Sequence, residues 1–313
     1  MVDAVITWVD GADPAHQAKR ERWLAELEGR ESKARPGTAE TRWESRFELY
    51  YCIRLIRQNA PWIRRIFLVT DNQRPEWLTE EAAQHYGVVL VDHKTLFAGH
   101  EHVLPTFNST TIETMLHRIP GLSERYLYFN DDVFLLRPVR EEDYFRGDRG
   151  CWRGQFQKRY TVKKGVQFMR WVTRKPIPDG FVGVRGEQEV LGRKRMFMLG
   201  HAPHPFARDF TRSVIEHDGR MERNIVHRFR HWDTLCVPAL IANAGFLQGQ
   251  ARRGPNDWAY IHEHHGEAEI RHRMDRCRRD DRIKSLCVQS LDMMPDDVQM
   301  EIEALLKGFL NAP

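Results

Sequence analysis

Residues 125–136 read RYLYFNDDVFLL, a run of strand-forming apolar residues that contains two adjacent acids, Asp131 and Asp132. Phe129 and Val133, on either side of the acids, are of residue types that proteins bury. A solvent-facing turn is therefore a poor explanation for carboxylates in this position. The stretch predicts a strand that ends at a buried acidic corner, and such corners are typical of functional sites.

Strand and helix patterns alternate upstream of this stretch. Apolar runs of strand type occur in AVITWVDG, IFLVTDN and GVVLVDH, and ELYYCIRLIRQN has the spacing of an amphipathic helix. Such alternation predicts a mostly parallel sheet flanked by helices. The three runs end at Asp10, Asp71 and Asp92. These acids and the Asp131–Asp132 pair are expected to converge at the carboxyl edge of the sheet, where α/β folds bind ligands, although each acid alone could instead begin a turn.

The segment FNSTTIETML predicts the start of a helix. Asn108, Ser109 and Thr110 are suitable N-cap residues, and Glu113 follows Thr110 at the spacing of a capping box. The apolar residues that follow predict that one face of this helix packs against the sheet.

Residues 149–198 differ in character from the segments around them. Trp152, Phe156 and Tyr160 alternate with basic residues before a Lys-Lys-Gly turn, which predicts a β-hairpin insertion. Aromatic and basic side chains so arranged could bind a polyanionic chain or a sugar-phosphate acceptor. A solvated hairpin without a ligand is the alternative.

Helical patterns dominate the remainder of the chain. The sequence therefore predicts one domain over residues 1–313 with three parts. These parts are an α/β part (1–148), the insertion with a candidate acceptor-binding hairpin (149–198), and a mainly helical part (199–313).

Composition narrows the class of protein. The 313 residues are 41% hydrophobic and 29% charged, as in globular proteins, and the formal charge of +4 is too small to indicate a nucleic-acid partner. No run of about 18 apolar residues predicts a membrane span, and five scattered cysteines without a C-x-x-C pair indicate reduced thiols. We therefore expect a cytoplasmic protein, with peripheral contact at the inner face of the membrane left open.

The segment Asn130–Asp132 offers several oxygen ligands at one point of the chain. Hard oxygen ligands favour Mg²⁺ or Mn²⁺, which proteins bind through one or two carboxylates together with substrate phosphates. A nucleotide-sugar diphosphate would complete such a site.

Two histidine-containing segments are candidates for catalysis. GHAPHPFARDF places His201 and His204 in a loop before a helix, where a base could face the substrate. VHRFRHWD places His227, Arg230 and His231 on one helix, where the guanidinium could neutralise phosphate charge. A lone histidine in such positions is more often a structural hydrogen-bonding residue.

A third histidine-containing segment, YIHEHHG, has a spacing that suits metal binding in part. His262 and His264 would share one face of an extended strand and resemble part of a zinc site. No third ligand follows at a suitable spacing, so the sequence does not predict a zinc site there.

Taken in order, the motifs resemble those of the Stealth family, which includes bacterial capsular polysaccharide phosphotransferases and the eukaryotic enzyme that attaches N-acetylglucosamine-1-phosphate to lysosomal glycoproteins. The matching segments are VITWVDGADP, ELYYCIRLIRQNAPWIRRIFLVTDNQRPEWL, VDH, LPTFNSTTIETMLHRIPGLSERYLYFNDDVFLL, GHAPHPFARDF and VHRFRHWD. They cover most of residues 4–136 and 199–245. The resemblance implies a glycosyltransferase-A-like core that transfers a sugar-1-phosphate from a UDP-sugar to an acceptor hydroxyl and releases UMP. It also implies a single catalytic domain over residues 1–313, in which residues 1–148 bind the nucleotide sugar and residues 199–313 complete the active site.

The resemblance also implies roles for individual residues. The catalytic residues it implies are His201, Arg230 and Asp132, and the expected metal ligands are Asp131, Asp132 and Asp292. The residues expected to bind substrate are Trp8, Asp10, Gly11, Asp71, Asn108, Ser109, Asn130 and His204. The chain departs from the family's last short motif, Cys-x-Asn-Asp, because SLCVQSLD has Gln289 and Ser290 at the last two positions. Either Asp292 takes over a metal or substrate contact, or this part of the site differs.

The expected reaction forms a phosphodiester during synthesis of a capsule or another cell-surface polysaccharide. The expected partners are a UDP-sugar donor that carries a hexose or N-acetylhexosamine and a glycan or polysaccharide-phosphate acceptor. His201 would take the acceptor proton or form a phosphohistidine, and both options stay open. The alternatives are a metal-dependent glycosyltransferase that releases UDP and a non-catalytic module that binds polyanions. The nucleotide product, if any, distinguishes the three.

Overall fold

The computed structural model describes residues 1–28, 47–158, 191–192, 195–231 and 233–311. Its strands are β1 (Val2–Thr7), β2 (Ile63–Thr70), β3 (Val88–Asp92), β4 (Arg125–Asn130), β5 (Val133–Leu135), β6 (Phe145–Arg146), β7 (Arg149–Trp152), β8 (Gly154–Lys158), β9 (Arg195–Leu199), β10 (His204–Ala207), β11 (Ala251–Arg253), β12 (Trp258–His262) and β13 (Ser285–Gln289). Its α-helices are α1 (Pro14–Glu28), α2 (Glu48–Asn59), α3 (Glu80–Tyr86), α4 (His93–Leu96), α5 (Ser109–Met115), α6 (Glu141–Tyr144), α7 (Arg208–Ile215), α8 (Arg220–Ile225), α9 (Val237–Gln248), α10 (Glu267–Arg279) and α11 (Asp296–Leu310).

A five-stranded sheet forms the centre of the molecule, with the strand order β10-β4-β1-β2-β3. Strands β4, β1, β2 and β3 are parallel, and β10 runs antiparallel to β4 at one edge. Ile6 of β1 lies opposite Leu68 of β2 and Phe129 of β4. The predicted α/β class, with a mostly parallel sheet flanked by helices, is confirmed.

Alternate side chains of the central strands enter two separate cores. Ala4, Ile6 and Phe129 belong to the core that includes α2. Val5 and Tyr128 belong to the core on the opposite face, to which α5 and α9 contribute. Because both faces are covered, these strands read as nearly continuous apolar runs in the sequence.

The connection between β4 and β5 consists of Asp131 and Asp132. Strand β5 does not continue the central sheet but pairs antiparallel with β13, which in turn is parallel to β12. Phe134 of β5 and Leu286 of β13 are buried in the same core as α2. The two acids therefore lie at the carboxyl end of a parallel strand, where the chain passes from one sheet to another.

The part of the chain after residue 199 combines the predicted helices with strands that the sequence analysis did not predict. Strands β10 to β13 all lie in this part. Most side chains of β12 are only half-buried, so no apolar alternation marks the strand. Helix α10 buries only Ile270, Met274 and Cys277, and its sequence therefore reads as a basic stretch.

Two local predictions were wrong. Residues 226–231 are not helical, because α8 ends at Ile225 and α9 begins at Val237. The carbonyl groups of His227 and Phe229 instead accept hydrogen bonds from a side chain of another segment, described below. His204 does not lie in a loop, because it is the first residue of β10 and pairs with Tyr128 of β4.

The predicted insertion is only partly within the described residues. Strand β8 pairs antiparallel with β9, whereas Tyr160 and the turn at 163–165 lie outside the described residues. Trp152 is buried, and Phe156 packs edge-on against Phe197 and Phe246. The Trp152 ring therefore belongs to the interior, whereas Phe156 is half-buried against it. No helix in the described ranges has the length and apolarity needed to cross a membrane.

Candidate functional site

The acidic corner, formed by Asp131 and Asp132, is half-buried between the two sheets. The backbone N–H of Val288 in β13 donates to the carbonyl oxygen of Asp132 at 3.0 Å, which ties the turn to the second sheet. The Oδ1 atom of Asp132 is buried and has no hydrogen-bond partner among the described residues. Buried polar atoms in proteins are nearly always paired. A cation bound at the corner would pair this oxygen.

Burial raises the pKa of both carboxyl groups. For Asp131, burial acts together with the charges of Asp132 and Glu48, and the pKa lies well above its usual range. For Asp132, burial and the charge of Glu48 outweigh a hydrogen bond from the thiol of Cys287 and raise the pKa to about 7. Acids that share a desolvated site without a cation behave in this way. A bound cation would lower the pKa of both carboxyl groups.

Asp3 shows what a structural buried acid looks like in the same fold. Its carboxylate accepts hydrogen bonds from Arg64 at 2.9 and 2.7 Å and from the backbone N–H of Ser123 at 2.7 Å. Burial alone would raise its pKa, but these partners lower it. Asp3 thus carries its own counter-charge, whereas the acidic corner faces the further acid Glu48.

The ligand types at the acidic corner fit Mg²⁺ or Mn²⁺. The carboxylates of Asp131 and Asp132 are hard oxygen donors, the kind that these cations select. A divalent cation would pair the orphaned Oδ1 atom of Asp132 and offset the excess negative charge. The amide oxygen of Asn130 already accepts a hydrogen bond from the hydroxyl of Tyr128 at 2.8 Å, so the two acids are the better ligands.

Tyr128 and Glu113 form a buried polar group behind the acidic corner. The Tyr128 hydroxyl lies 3.1 Å from Oε1 of Glu113 and 3.0 Å from the hydroxyl of Thr7. One hydroxyl hydrogen cannot serve both Glu113 and Asn130. Burial outweighs the effects of Arg230 and Tyr128 and raises the pKa of Glu113 to about 7, so a proton on Glu113 can supply the second hydrogen bond.

Arg230 belongs to the loop after α8, and its side chain lies next to Ser109, the first residue of α5. Its guanidinium donates to Oγ of Ser109 at 2.9 Å. Asn108 caps α5 by accepting the N–H of Thr110 at 3.1 Å, and its Nδ2 donates to the carbonyl groups of His227 and Phe229. Asn108 is fully buried. It therefore joins the helix start to the loop that carries Arg230, and the predicted capping box between Thr110 and Glu113 is replaced by this cap.

His201 is connected to the acidic corner indirectly, through Tyr260 and Cys287. The two rings are stacked at 4.0 Å with an interplanar angle of 9°. Tyr260 lies opposite Cys287 in the sheet, and Cys287 hydrogen-bonds Asp132. Although His201 is on a loop with solvent-exposed surface, desolvation of its ring, followed by the charge of His262, lowers its pKa to about 4. His201 is therefore a neutral imidazole at physiological pH.

The other strand-end acids lie at the same carboxyl edge of the sheet, as expected, and have local partners. Asp71 is paired with His16 at 3.2 Å and Lys19 at 3.0 Å, and these hydrogen bonds outweigh burial and lower its pKa. Asp92 caps α4 by accepting the N–H of Lys94. The expected role of Asp71 in substrate binding stays a prediction.

Several predicted substrate-binding residues have structural contacts of their own. Oδ1 of Asp10 accepts the N–H of Ala12, and the Asp10 backbone bonds Gln73 twice at 2.9 Å. Trp8 and Gly11 are buried on either side of this turn. These residues shape a rigid loop after β1 at the carboxyl edge of the sheet.

His204 and Asp292 are the remaining predicted site residues. The ring of His204 stacks on buried Trp152 at 5.7 Å, and burial, followed by His201, lowers its pKa to about 3. Asp292 lies in a short 3₁₀ turn, Leu291–Met293, just after β13, the strand that bonds the acidic corner through Val288. Asp292 is half-buried, and its role as a metal ligand stays a prediction.

The sequence analysis missed Glu113, Tyr260, Glu48 and Cys287 as members of the site. Glu113 sits at a spacing that a capping box explains equally well. Tyr260 lies in a strand without apolar alternation. Glu48 reads as an ordinary acid in the first turn of a helix, where acids are common. None of these residue patterns is distinctive without the tertiary contacts.

Comparisons with known proteins agree with the motifs. The family model for Stealth protein CR1, conserved region 1, matches residues 2–28, and the model for CR2, conserved region 2, matches residues 42–151. A mouse xyloside xylosyltransferase 1 structure superposes with a TM-score of 0.43 at 10% identity, covering 92% of this chain and 97% of that chain. A likeness at this level assigns no activity.

Curated relatives are more similar. An exopolysaccharide phosphotransferase from Streptomyces coelicolor is 38% identical over 267 residues, which are 83% of this chain and 27% of the relative. A second from the same organism is 32% identical over 99% of this chain and 50% of the relative. The chain thus spans a quarter to a half of these two relatives. The receptor polysaccharide phosphotransferase WefC from Streptococcus oralis is 37% identical over 83% of this chain and 86% of that protein. This chain and WefC are thus similar over most of their lengths, and the models of both conserved regions match. The chain therefore belongs to the Stealth family.

Proposed function

We propose that the chain transfers a sugar-1-phosphate from a UDP-sugar to a hydroxyl group of a glycan acceptor, forming a phosphodiester and releasing UMP. The observation that carries the proposal is the acidic corner, a pair of half-buried carboxylates at the carboxyl end of β4 that face no basic side chain among the residues in the described ranges. The names of the curated relatives, which are polysaccharide phosphotransferases, support the reaction class.

Asp131 and Asp132 would hold Mg²⁺ or Mn²⁺, and Asp292 is the candidate for a further ligand. The ion would neutralise negative charge on the donor diphosphate. The turn itself is fixed by the hydrogen bond between Val288 and Asp132. The carboxylates therefore need little rearrangement to bind.

Arg230 would neutralise negative charge on the oxygens of the phosphoryl group that is attacked. Positioned cations act strongly on the equatorial oxygens of a transferring phosphoryl group. Ser109 orients the guanidinium, and Asn108 fixes the loop that carries it. Glu113 lies close enough to attract Arg230 when its carboxyl group is ionised.

His201 would accept the proton of the acceptor hydroxyl. In this step, the acceptor oxygen forms a bond to the phosphorus attached to the sugar, the bond from that phosphorus to the bridging oxygen breaks, and UMP leaves with the electron pair. The lowered pKa keeps the imidazole unprotonated and able to accept a proton. The alternative, in which His201 forms a phosphohistidine, uses the same neutral nitrogen.

The test is to incubate the purified chain with a panel of UDP-sugars, Mg²⁺ or Mn²⁺ and glycan acceptors, and to identify the nucleotide product. Release of UMP supports the proposal, and release of UDP indicates glycosyl transfer. If no nucleotide is released and the chain binds polyanions with an affinity that falls with salt, it is a binding module. Asp132→Ala, His201→Ala and Arg230→Ala should each lower turnover by about a hundred- to a thousandfold. The exposed His272, on α10, gives the matched control His272→Ala, which should retain turnover.

A further inference from the structure

Three consecutive residues at the end of β12 converge on one point. His262 ends the strand, and Glu263 and His264 begin a short 3₁₀ turn. One nitrogen or oxygen atom from each of the three side chains lies within 4.8 Å of the other two. Nδ1 of His264 is 3.0 Å from Oε1 of Glu263, and Nδ1 of His262 lies against Oε2 of the same carboxylate.

The carboxylate of Glu263 is the centre of the cluster, because it contacts Nδ1 of both histidines. The side chains of His262 and Glu263 are only 18% and 19% exposed, so their ligand atoms lie inside the turn. Nδ1 of His262 also accepts the backbone N–H of His264 at 3.3 Å. The three side chains are therefore held close together before any ion binds.

The turn itself holds these atoms in place. The backbone N–H of His262 donates to Nδ1 of His265 at 3.1 Å, so the fourth polar side chain of the segment is used to fix the turn. The third ligand that the sequence lacked is thus Glu263, between the two histidines, because the chain turns after His262 and does not continue as an extended strand.

We propose that His262, Glu263 and His264 bind a divalent transition-metal ion of the Zn²⁺ class, at a site separate from the acidic corner. Two imidazole nitrogens and one carboxylate are the ligand set of three-ligand zinc sites, which leave a fourth position open. Imidazole favours Zn²⁺ over Mg²⁺, whereas carboxylates alone favour the reverse. The chain then carries one site that prefers Zn²⁺ and one, the acidic corner, that prefers Mg²⁺. Neither preference depends on the reaction proposed above.

The location of the cluster leaves it open to ions from solution. The side chain of His264 is 81% exposed, so an ion can reach the turn without rearrangement of the fold. His262 lies opposite Gln289 in the sheet, and Tyr260, two residues earlier, stacks on His201. The ion would therefore lie at the same edge of the second sheet as the candidate base.

Cobalt(II) gives a direct readout that does not depend on enzyme activity. The chelator-treated full chain is saturated with Mg²⁺ to fill the acidic corner and then titrated with Co²⁺, with the visible absorption band of nitrogen-ligated, four-coordinate Co²⁺ as the signal. We expect one such ion per chain, displaced by Zn²⁺. His264→Ala and Glu263→Gln should weaken binding at least about tenfold.

Two controls make the result decisive. His272→Ala removes an exposed histidine outside the cluster and should leave Co²⁺ binding unchanged. The double variant Asp131→Asn/Asp132→Asn should also leave it unchanged. The proposal is overturned if no band appears, if His264→Ala binds Co²⁺ like the parent chain, or if the double variant abolishes binding. In those cases the cluster is a histidine–glutamate ion pair that shares a proton.

Discussion

At the scale of single residues, the informative feature is an acid without a counter-charge. Asp3 and Asp132 have buried carboxyl oxygens within one fold, yet the first has a lowered pKa and the second a raised one. The difference lies in their partners, because Arg64 faces Asp3 and Glu48 faces Asp132. Burial alone therefore does not mark a site, whereas burial without compensation does.

The unpaired charge of Asp132 should destabilise the metal-free protein at neutral and alkaline pH. A carboxyl group with a folded-state pKa of about 7 favours the fold when protonated, and this contribution is lost as the pH rises from about 4 through 7. We expect Asp132→Asn to raise the free energy of unfolding of the metal-free chain by about 1 to 2 kcal/mol at pH 8, after allowance for partial exposure. At pH 4 the variant and the parent should be equal.

Urea denaturation in chelator at the two pH values measures this difference. Asp148→Asn, which removes an exposed acid, should have no effect at either pH. A loss of stability in Asp132→Asn at pH 8 would contradict the expected electrostatic penalty.

The affinity of the acidic corner for Mn²⁺ should depend on pH in the same range. Protons compete with the ion for Asp131 and Asp132, whose pKa values are both raised. The affinity should therefore fall by about tenfold per pH unit per displaced proton as the pH decreases below about 7. Calorimetric titration with Mn²⁺ at pH 6 and pH 8 measures the change. Equal affinity at the two pH values would argue against these carboxylates as the ligands.

At the scale of elements, α5 and the loop after α8 form one unit. Asn108 caps the helix and also binds the carbonyl groups of His227 and Phe229. The position of Arg230 therefore depends on a side chain more than a hundred residues earlier in the chain. This contact is also the reason that residues 226–231 are not helical, although their sequence reads as a helix.

Asn108→Ala should lower both stability and turnover. Loss of a cap and of two buried hydrogen bonds is expected to cost about 2 to 3 kcal/mol. Arg230 would lose its fixed loop, so turnover should fall beyond what unfolding explains. Thr79→Ala is the matched control, because Thr79 caps α3 through the N–H of Ala82 far from the site.

Chemical denaturation and UMP release, measured below the unfolding transition, separate the two effects. Equal relative turnover of the folded Asn108→Ala and Thr79→Ala variants would show that the cap does not position Arg230.

The elements that the sequence predicted well are those with strong local patterns. Strands β1 and β4 are buried on both faces, and the apolar runs of β1 to β4 are continuous, so both the sheet and its acidic corner could be predicted. Strand β12 and helix α10 could not, because their burial depends on a few residues each. The contacts of Glu113 and Tyr260 join distant segments and leave no local signal. The partners of Asp71, which come from α1, could not be predicted, because contacts between distant segments leave no local signal.

At the scale of the whole molecule, a buried ion pair connects the smaller sheets. Arg153 is 1% exposed and donates to both carboxylate oxygens of Asp257 at 3.0 and 2.9 Å, and to the carbonyl of Asp143 at 2.8 Å. Its guanidinium also lies 4.0 Å from the ring centre of Tyr144. The segment before β8 is thus joined to the segment before β12.

Arg153→Ala should reduce the free energy of unfolding by about 3 to 5 kcal/mol, because it leaves the carboxylate of Asp257 buried without its partner. The exposed Arg149, on the neighbouring strand, supplies the control Arg149→Ala. The shift of the urea midpoint relative to the parent chain measures the effect. A loss smaller than about 1 kcal/mol would mean that water reaches Asp257 in the variant.

The connection between β4 and β5 is two residues long, so the position of the carboxylates and the arrangement of the two sheets depend on the same residues. The same peptide units that present the carboxylates also set the angle at which the second sheet leaves the first. Any insertion or deletion there would move both together. A change in the length of a surrounding loop would leave this two-residue turn, and with it the position of the carboxylates relative to the second sheet, unchanged.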